Sequence, residues 1–228
     1  MNNEAAVHII EKALREGRKT LSEYEAKQVL ASYRIPVARE ILVDCRSDAA
    51  KAAVEIGYPV VLKGCSSEIA HKTERDLIQM DIRSNEEALR AFDRIIIAMD
   101  GQGCSVLVQE MVQGRRELVI GLTRDEQFGP CVMFGLGGIF TEILKDTAFR
   151  RAPLTRCDAL DMMAEIKGRK ILESARGMEA ADKNKLAEML MHVGQIGIAI
   201  NQIREIDLNP VIISRGNPIA VDALIVLK

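Results

Sequence analysis

The sequence has no run of apolar residues long enough to cross a membrane. A spanning helix needs about 20 such residues, and no window of this 228-residue chain approaches that length without charged or polar residues. The N-terminal stretch, MNNEAAVHII, also lacks the basic region with which a secretory signal begins. We therefore expect a cytoplasmic protein with no membrane partner.

Paired cysteine motifs and a strong excess of charge are also absent. The net charge is −2, which gives no electrostatic reason to expect nucleic acid as a partner. The cysteines are odd in number, widely spaced and free of any CxxC pair, which argues against a disulfide framework or a structural zinc site. They are Cys45, Cys65, Cys104, Cys131 and Cys157.

The order of predicted elements indicates an α+β fold in two subdomains. Helices and strands alternate through the first half, a mostly antiparallel meander follows from Arg116 to Phe134, and a helix over 183–200 precedes a final hairpin. We expect one subdomain over residues 1–111, including a candidate phosphate loop at 63–78. The second subdomain would cover 112–228 and end in the hairpin at 204–227.

That final hairpin places several oxygen ligands together. If its turn is centred between Arg215 and Gly216, antiparallel pairing sets Asn209 directly opposite Asp222. Because side chains alternate along a strand, Glu205 and Asp207 share the same face. The opposite face is predicted to be core and comprises Ile206, Leu208, Ile212, Ile219, Val221, Ala223 and Ile225.

Carboxylates crowded on one face of a sheet repel each other. A hard cation would relieve that repulsion, and a carboxylate with an amide oxygen suits Mg²⁺, which takes further ligands from water and substrate phosphates. The hairpin alone does not decide between this metal site and a polar face that simply meets water.

Two other stretches suggest contacts with phosphate. Lys63 ends a short apolar strand and is followed by a polar loop that contains His71; the same lysine could equally extend into water. Glycines at 135, 137 and 138 permit close backbone approach to an anion. Lys145, Arg150 and Arg151 follow those glycines and add positive charge.

Taken together, these stretches resemble the ATP-grasp fold, and more narrowly the nucleotide-binding β subunits of ADP-forming acyl-CoA synthetases, relatives of succinyl-CoA synthetase. In that fold two α/β subdomains clasp a nucleotide. The resemblance covers nearly the whole chain in eight strings in the family order. They are LSEYEAKQVLASYRIPV (21–37), GYPVVLKG (57–64), the His71-Lys72 pair, VQEMVQGRREL (108–118), QFGP (127–130), FGLGGIFTEILKD (134–146), FRRAP (149–153) and EIDLNPV (205–211).

The resemblance implies a set of nucleotide contacts. Lys63 matches the lysine on the nucleotide phosphates, and Glu117 matches the carboxylate on the ribose. The run from Glu110 through Met111 to Val112 matches the interdomain hinge that receives adenine. Asn209 and Asp222 fall on the two Mg²⁺ ligands, the pair that the hairpin brings together.

The resemblance also implies catalytic roles. His71 is similar to a histidine that takes part in phosphoryl relay, and Asp207 matches an acidic residue near the phosphohistidine. Arg150 or Arg151, with Lys63, would offset charge on the transferring group. The family commonly has a Gly-Gly pair after the His-Lys pair, whereas this chain has Arg75-Asp76-Leu77-Ile78 there.

The implied activity is that of a subunit of acetate–CoA ligase (ADP-forming), with Mg²⁺ and ATP/ADP as cofactors. An α subunit with a CoA-binding domain and a phosphohistidine would be the partner, in an α2β2 heterotetramer. In agreement, the chain has no Gly-rich Rossmann turn for CoA. Two alternatives stay open: a self-sufficient ATP-grasp ligase that joins a carboxylate to an amine, and a nucleotide-binding module without catalysis.

Overall fold

The computed structural model describes residues 3–66, 77–99, 105–138, 146–174 and 177–228. The chain divides into two compact units, each with its own sheet and core. The larger unit comprises Met1–Leu21, Glu25–Val37 and Val112–Lys228, and the smaller one comprises Ser22–Tyr24 and Ala38–Met111. Helices with antiparallel sheets make this an α+β fold, as predicted.

The smaller unit is a four-stranded antiparallel sheet with two helices. Its strands are β1 (Glu40–Val43), β2 (Val60–Cys65), β3 (Ile78–Ile82) and β4 (Ser105–Glu110), in the order β1-β4-β2-β3. Helices α3 (Arg46–Ile56) and α4 (Asn85–Ala98) supply alanine, isoleucine and phenylalanine side chains to the core under that sheet. Ser84 begins α4 by accepting the N–H of Glu87 at 3.2 Å.

The larger unit is built on a six-stranded antiparallel sheet. Its strands are β5 (Glu117–Asp125), β6 (Gly129–Leu136), β7 (Thr147–Arg151), β8 (Ile203–Ser214), β9 (Asn217–Ala220) and β10 (Leu224–Leu227). The path runs β10-β8-β5-β6-β7, and β9 also pairs with β8. The strands β5 and β8 carry Glu117, Asp207 and Asn209, three of the residues that the sequence analysis singled out.

Four helices belong wholly or mainly to the larger unit and pack on one face of its sheet. They are α1 (Glu4–Arg15), α2 (Glu23–Ser32), α5 (Arg156–Glu165) and α6 (Lys183–Ala199), with a short 3-10 helix at Arg169–Leu172. Helix α5 begins with a capping box between Thr155 and Asp158. Asp182 begins α6 by accepting the N–H groups of Asn184 and Lys185. The other face of the sheet carries the candidate site.

The division of the chain differs from the predicted subdomains at the N-terminal end. The predicted boundary between residues 111 and 112 matches the end of the smaller unit. Residues 1–21 and 25–37, however, belong to the larger unit, because the apolar faces of α1 and α2 pack in its core. Only residues 22–24 of this region join the smaller unit, where Glu23 pairs with Lys63.

Two further expectations can be compared with the described residues. None of the helices in these ranges is long and apolar enough to cross a membrane. The cysteines at 45, 65, 131 and 157 are free thiols, and Cys104 lies outside the described residues. Of these four, Cys65 is buried and Cys131 is half-buried, whereas Cys45 and Cys157 are exposed.

We expect the stability of the larger unit to fall as His192 is protonated. Burial lowers the pKa of His192 below its ordinary value of 6.5; nearby Arg34 acts in the same direction, and Glu188 opposes it. The unfolded chain therefore binds this proton more readily than the folded one. The free energy of unfolding should decrease as pH falls from about 6.5 through the lower folded-state pKa, as measured by urea denaturation across that range.

The control uses the exposed His8 on α1. His192→Gln should reduce the pH dependence of unfolding in this range, whereas His8→Gln should leave that dependence as it is in the parent protein. Equal pH dependence in the parent and in His192→Gln would contradict the assignment.

Candidate functional site

The final hairpin has the register that the sequence analysis expected. Its turn is Arg215-Gly216, with both residues at positive φ, 46° and 78°, as a two-residue hairpin of this type requires. Val211 pairs with Ala220 on one side and Asp207 pairs with Leu224 on the other. Counting two residues inward from either pair brings Asn209 opposite Asp222.

A β-bulge lies at Asn209 itself. Leu118 of β5 pairs with Val211, but Ile120 pairs with Leu208, so two steps along β5 correspond to three along β8. An extra residue of this kind bends a strand and redirects its side chains. Asn209 is exposed there, so its amide oxygen is accessible to a ligand.

The bulge also corrects the predicted core face. After Leu208 the buried positions shift by one, because the extra residue reverses the alternation of side chains. Ile212 and Ile219, predicted as core, are only half-buried. Val211, Ile213 and Ala220 take their places in the core.

The open face of the larger sheet carries an acidic cluster. Asp207 stands in register with Leu224 on one neighbouring strand and with Gly121 on the other. Gly121 contributes no side chain, so no cation faces Asp207 from that position. Burial, followed by the charges of Glu205 and Asp222, raises the pKa of Asp207 to about 6.

A cation would suit this cluster of carboxylates. No three His, Cys, Asp or Glu residues within the described ranges form a group that could hold a metal. Mg²⁺ needs fewer protein ligands when substrate phosphates supply the rest. The oxygens of Asn209 and Asp222 are hard donors of the kind it prefers, so the residues present fit a shared Mg²⁺–phosphate site.

The two neighbouring arginines of β7 emerge on opposite faces of the sheet. Arg150 is in register with the buried Val132, and its guanidinium meets Glu165 of α5 at 2.8 Å. Arg151 is in register with Cys131 and thus lies on the open face. Its positive charge opposes the rise in the pKa of the Cys131 thiol that burial and Asp125 cause. The sequence analysis favoured Arg150, but the structure places Arg151 on the face of Asp207.

Lys63 lies near the end of β2 and is 5% exposed. Its ammonium donates to Oε1 of Glu23 at 2.7 Å, and Glu23 is 3% exposed. A Lys63 side chain that extends into water was one alternative in the sequence analysis. The buried contact with Glu23 excludes it. Lys63 is thus the ammonium of a buried ion pair, two residues before β2 ends at Cys65.

The stretch from Glu110 to Val112 follows the last strand of the smaller unit. The N–H groups of Glu110 and Met111 donate to the carbonyl oxygens of Arg39 at 2.9 Å and Pro59 at 3.3 Å. The Glu110 carboxylate accepts the Arg39 N–H at 2.8 Å. Two of the three predicted hinge amides are thus already bonded within this unit.

Glu117 explains the glycine pair at 137 and 138. The Gly137 N–H donates to the Glu117 carbonyl at 2.8 Å, and a Cβ on Gly137 would lie 2.7 Å from the Glu117 carbonyl carbon. Gly138 has φ +64°, and a Cβ there would lie 2.8 Å from Glu117 Oε2. Within this part of the chain the glycines make room for Glu117, where the sequence analysis invoked an anion.

Two predicted residues cannot be placed. His71 and Lys145 lie outside the described residues, so the roles assigned to them stay predictions. Conversely, sequence reasoning gave no role to Glu23 as the partner of Lys63. The signal was available, since Glu23 lies in the string LSEYEAKQ, but pairing across 40 residues leaves no local pattern.

Comparison with known proteins identifies the family of this chain. A family profile described as an ATP-grasp domain matches residues 12–227. The chain is 43% identical over 227 residues to the β subunit of acetate–CoA ligase (ADP-forming) I of Pyrococcus furiosus, with 97% of each chain covered. It is 38% identical to acetate–CoA ligase (ADP-forming) I of Archaeoglobus fulgidus, of which it spans 34%.

A solved structure is similar over the whole chain. It is the dinucleotide-forming acetyl-coenzyme A synthetase 1 of Ca. Korarchaeum cryptofilum, in complex with coenzyme A and Mg-AMPPCP, with its phosphohistidine segment pointing towards the nucleotide-binding site. The TM-score is 0.87 at 42% identity, covering 98% of this chain and 100% of that one.

Removing one member of the Lys63–Glu23 pair should destabilise the protein strongly. Glu23→Gln or Lys63→Met alone leaves a buried charge without its partner, at a cost of about 3–5 kcal/mol. Replacing both, as Lys63→Met with Glu23→Leu, should recover part of that loss, because both charges of the pair are then removed. Urea denaturation of the three variants measures these differences.

The exposed pair Arg46–Asp93, with a 3.0 Å contact in the same unit, is the matched control. Its removal by Arg46→Gln should cost less than about 1 kcal/mol, as exposed pairs do. A Glu23→Gln variant no less stable than Arg46→Gln would mean that the buried pair has no structural importance.

Proposed function

The chain belongs to the ATP-grasp domain family, and from that premise we propose that it is the nucleotide-binding β subunit of an acetate–CoA ligase (ADP-forming). With an α subunit it converts acyl-CoA, ADP and phosphate reversibly into the acid, CoA and ATP. Its own share of that reaction is Mg²⁺-dependent phosphoryl transfer between a histidine and ADP.

The proposal rests on one observation above all. Asn209 and Asp222 stand opposite each other beside Asp207, a carboxyl whose pKa is raised to about 6 by burial and by the charges of Glu205 and Asp222. Carboxylates that raise the pKa of one of their number in this way are better suited to binding a cation than to facing water. Asn209 and Asp222 would hold Mg²⁺, which supplies charge neutralisation on the nucleotide phosphates.

The transfer itself is a displacement at phosphorus. In the ATP-forming direction the P–N bond of the phosphohistidine breaks and a P–O bond forms to the terminal oxygen of ADP, which leaves the histidine neutral. Little covalent chemistry falls to the protein, so positioning and charge stabilisation lower the barrier. Asp207 lies on the face where the imidazole would be positioned, and Arg151 offers the guanidinium on that face. His71 is proposed to take part in the relay.

Further contacts with the nucleotide are proposed for residues named in the sequence analysis. Lys63, held by Glu23, provides a point charge for its phosphates. Glu117, fixed by the close approach of Gly137 and Gly138, offers a carboxylate to the ribose hydroxyls. The backbone from Glu110 to Val112 is proposed to contact the base.

The α subunit is proposed to bring the CoA-binding domain and the phosphohistidine. The single-chain relative from Archaeoglobus fulgidus, which this chain matches over only about a third of its length, supports that division of labour. An α2β2 heterotetramer is the assembly that we propose.

Phosphoryl transfer to a partner tests the proposed function. The chain should transfer label from γ-labelled ATP to the histidine of an ADP-forming acetate–CoA ligase α subunit, and only with Mg²⁺ present. Asp222→Asn should reduce the rate about 100-fold or more, because the proposed Mg²⁺ site loses its charged protein ligand. His71→Ala should also reduce it if that residue takes part in the relay.

Asp161→Asn, which removes an exposed carboxylate from α5 of the same unit, should leave the rate unchanged. Tight binding of ATP with no transfer to the α subunit would contradict the proposal and favour a module without catalysis. Ligation of a carboxylate to an amine by the chain alone would favour a self-sufficient ligase.

The two arginines of β7 should behave differently in the same assay. Arg151→Gln should slow transfer or raise the KM for ADP by about tenfold, the loss of one charge-assisted hydrogen bond. Arg150→Gln breaks the contact with Glu165 on the opposite face and the hydrogen bond to the Phe149 carbonyl, so its rate should stay within about twofold and its stability within about 1 kcal/mol. The reverse result would return the role to Arg150.

A further inference from the structure

The larger unit contains a pocket whose lining does not include the residues of the acidic cluster. Its volume is about 610 Å³, within the range of small-molecule sites. The beginning of α1, the end of α2, Pro153 and the last turns of α6 line it. None of the residues of the proposed nucleotide site belongs to its lining.

Two polar atoms of this pocket are buried without a hydrogen bond. Tyr33 Oη and His192 Nδ1 find no partner among the described residues, although buried polar atoms nearly always have one. Two other polar side chains of the lining are bonded inside the protein. The Asn3 amide donates to the Ser32 carbonyl, and the Ser32 hydroxyl donates to the Val29 carbonyl at 2.6 Å. Tyr33 and, in the tautomer with its proton on Nδ1, His192 are two neutral donors among the residues that line the pocket.

A cation stands beside these donors in a backbone conformation that arginine rarely adopts. Helix α2 ends in a Schellman motif, with Arg34 N–H bonded to the Ala31 carbonyl and Ile35 N–H to the Leu30 carbonyl. The residue at the position of Arg34 is usually glycine, yet Arg34 has φ 62°. It is exposed and forms no ion pair with any residue in the described ranges. An arginine in a conformation that favours glycine points to a role for the Arg34 side chain.

The remaining lining gives the ligand its shape and charge. Pro153 and Ile198, the latter 54% exposed, offer apolar surface. Glu4, in the first turn of α1, adds one negative charge. One arginine opposed by one glutamate is too little positive charge for a phosphate dianion, whereas two neutral donors and one guanidinium match a carboxylate.

We propose that this pocket binds a small organic monocarboxylate with an apolar body. The carboxylate oxygens accept hydrogen bonds from Tyr33 Oη and His192 Nδ1, with the Arg34 guanidinium alongside. The apolar body lies against Pro153 and Ile198. This site is independent of the proposed phosphoryl transfer.

Histidine NMR of the full chain tests the proposal, because the sequence has only three histidines. Isobutyrate should shift the His192 resonances saturably, with a dissociation constant in the millimolar range. Isobutyramide, its neutral analogue, and inorganic phosphate should not. Equal shifts with isobutyrate and isobutyramide, a stronger effect of phosphate, or no saturable shift with isobutyrate would each overturn the proposal.

Two substitutions separate binding from structure. Arg34→Gly should remove the backbone strain and raise the melting temperature, yet weaken isobutyrate binding about tenfold or more. Arg215→Gly is the matched control. It relieves the same kind of strain at φ 46° in the hairpin turn, so it should raise the melting temperature and leave binding unchanged. Unchanged binding in Arg34→Gly would overturn the proposal.

A substitution of Glu4 tests the charge of the ligand. Glu4→Gln should tighten isobutyrate binding, because it removes a like charge from the pocket. Weaker binding in this variant would mean that Glu4 attracts the ligand, and the assignment of a carboxylate would be wrong.

Discussion

The candidate site depends on the alignment of β8 with two of its neighbouring strands, β9 and β10. β9 and β10 pair with β8 on either side of an interruption, and both keep the same alignment. That alignment brings Asn209 opposite Asp222, while the bulge at Asn209 turns its side chain out of the ladder. A slip of one residue would move Asp207 to the core face, where its carboxylate could not be accommodated without a partner. The packing of the core and the chemistry of the site are therefore fixed by the same pairing.

The two units differ in whether their neighbouring charges are of opposite sign or of the same sign. In the smaller unit Lys63 and Glu23 neutralise each other while buried. In the larger unit Glu205, Asp207 and Asp222 lie close enough to influence each other, and the effect is recorded in the pKa of Asp207. Such a cluster costs stability unless a ligand offsets it. A site that binds a metal ion together with phosphate has this lower stability in the ligand-free protein. The raised pKa of Asp207 is consistent with such a site.

The sequence was sufficient for the features that depend on local pattern. The α+β class and the hairpin register followed from periodicity and from the turn at Arg215-Gly216. The bulge at Asn209 escaped prediction because it is set by pairing with β5, about 90 residues earlier in the chain; Ile212 and Ile219 were consequently assigned to the wrong face. The choice between Arg150 and Arg151 likewise depends on the register of β7 with β6. The packing of α1 and α2 in the larger unit, and the pair formed by Glu23 with Lys63, are tertiary contacts that no local signal encodes.

The most direct measurement of the central claim is the position of the metal. Mn²⁺ accepts the same oxygen ligands as Mg²⁺ and can be located by anomalous diffraction in crystals grown with ADP. The account predicts an anomalous peak within coordination distance of both Asn209 and Asp222, with the ADP phosphates completing the shell. A nucleotide-bound Mn²⁺ that touches neither residue would contradict it.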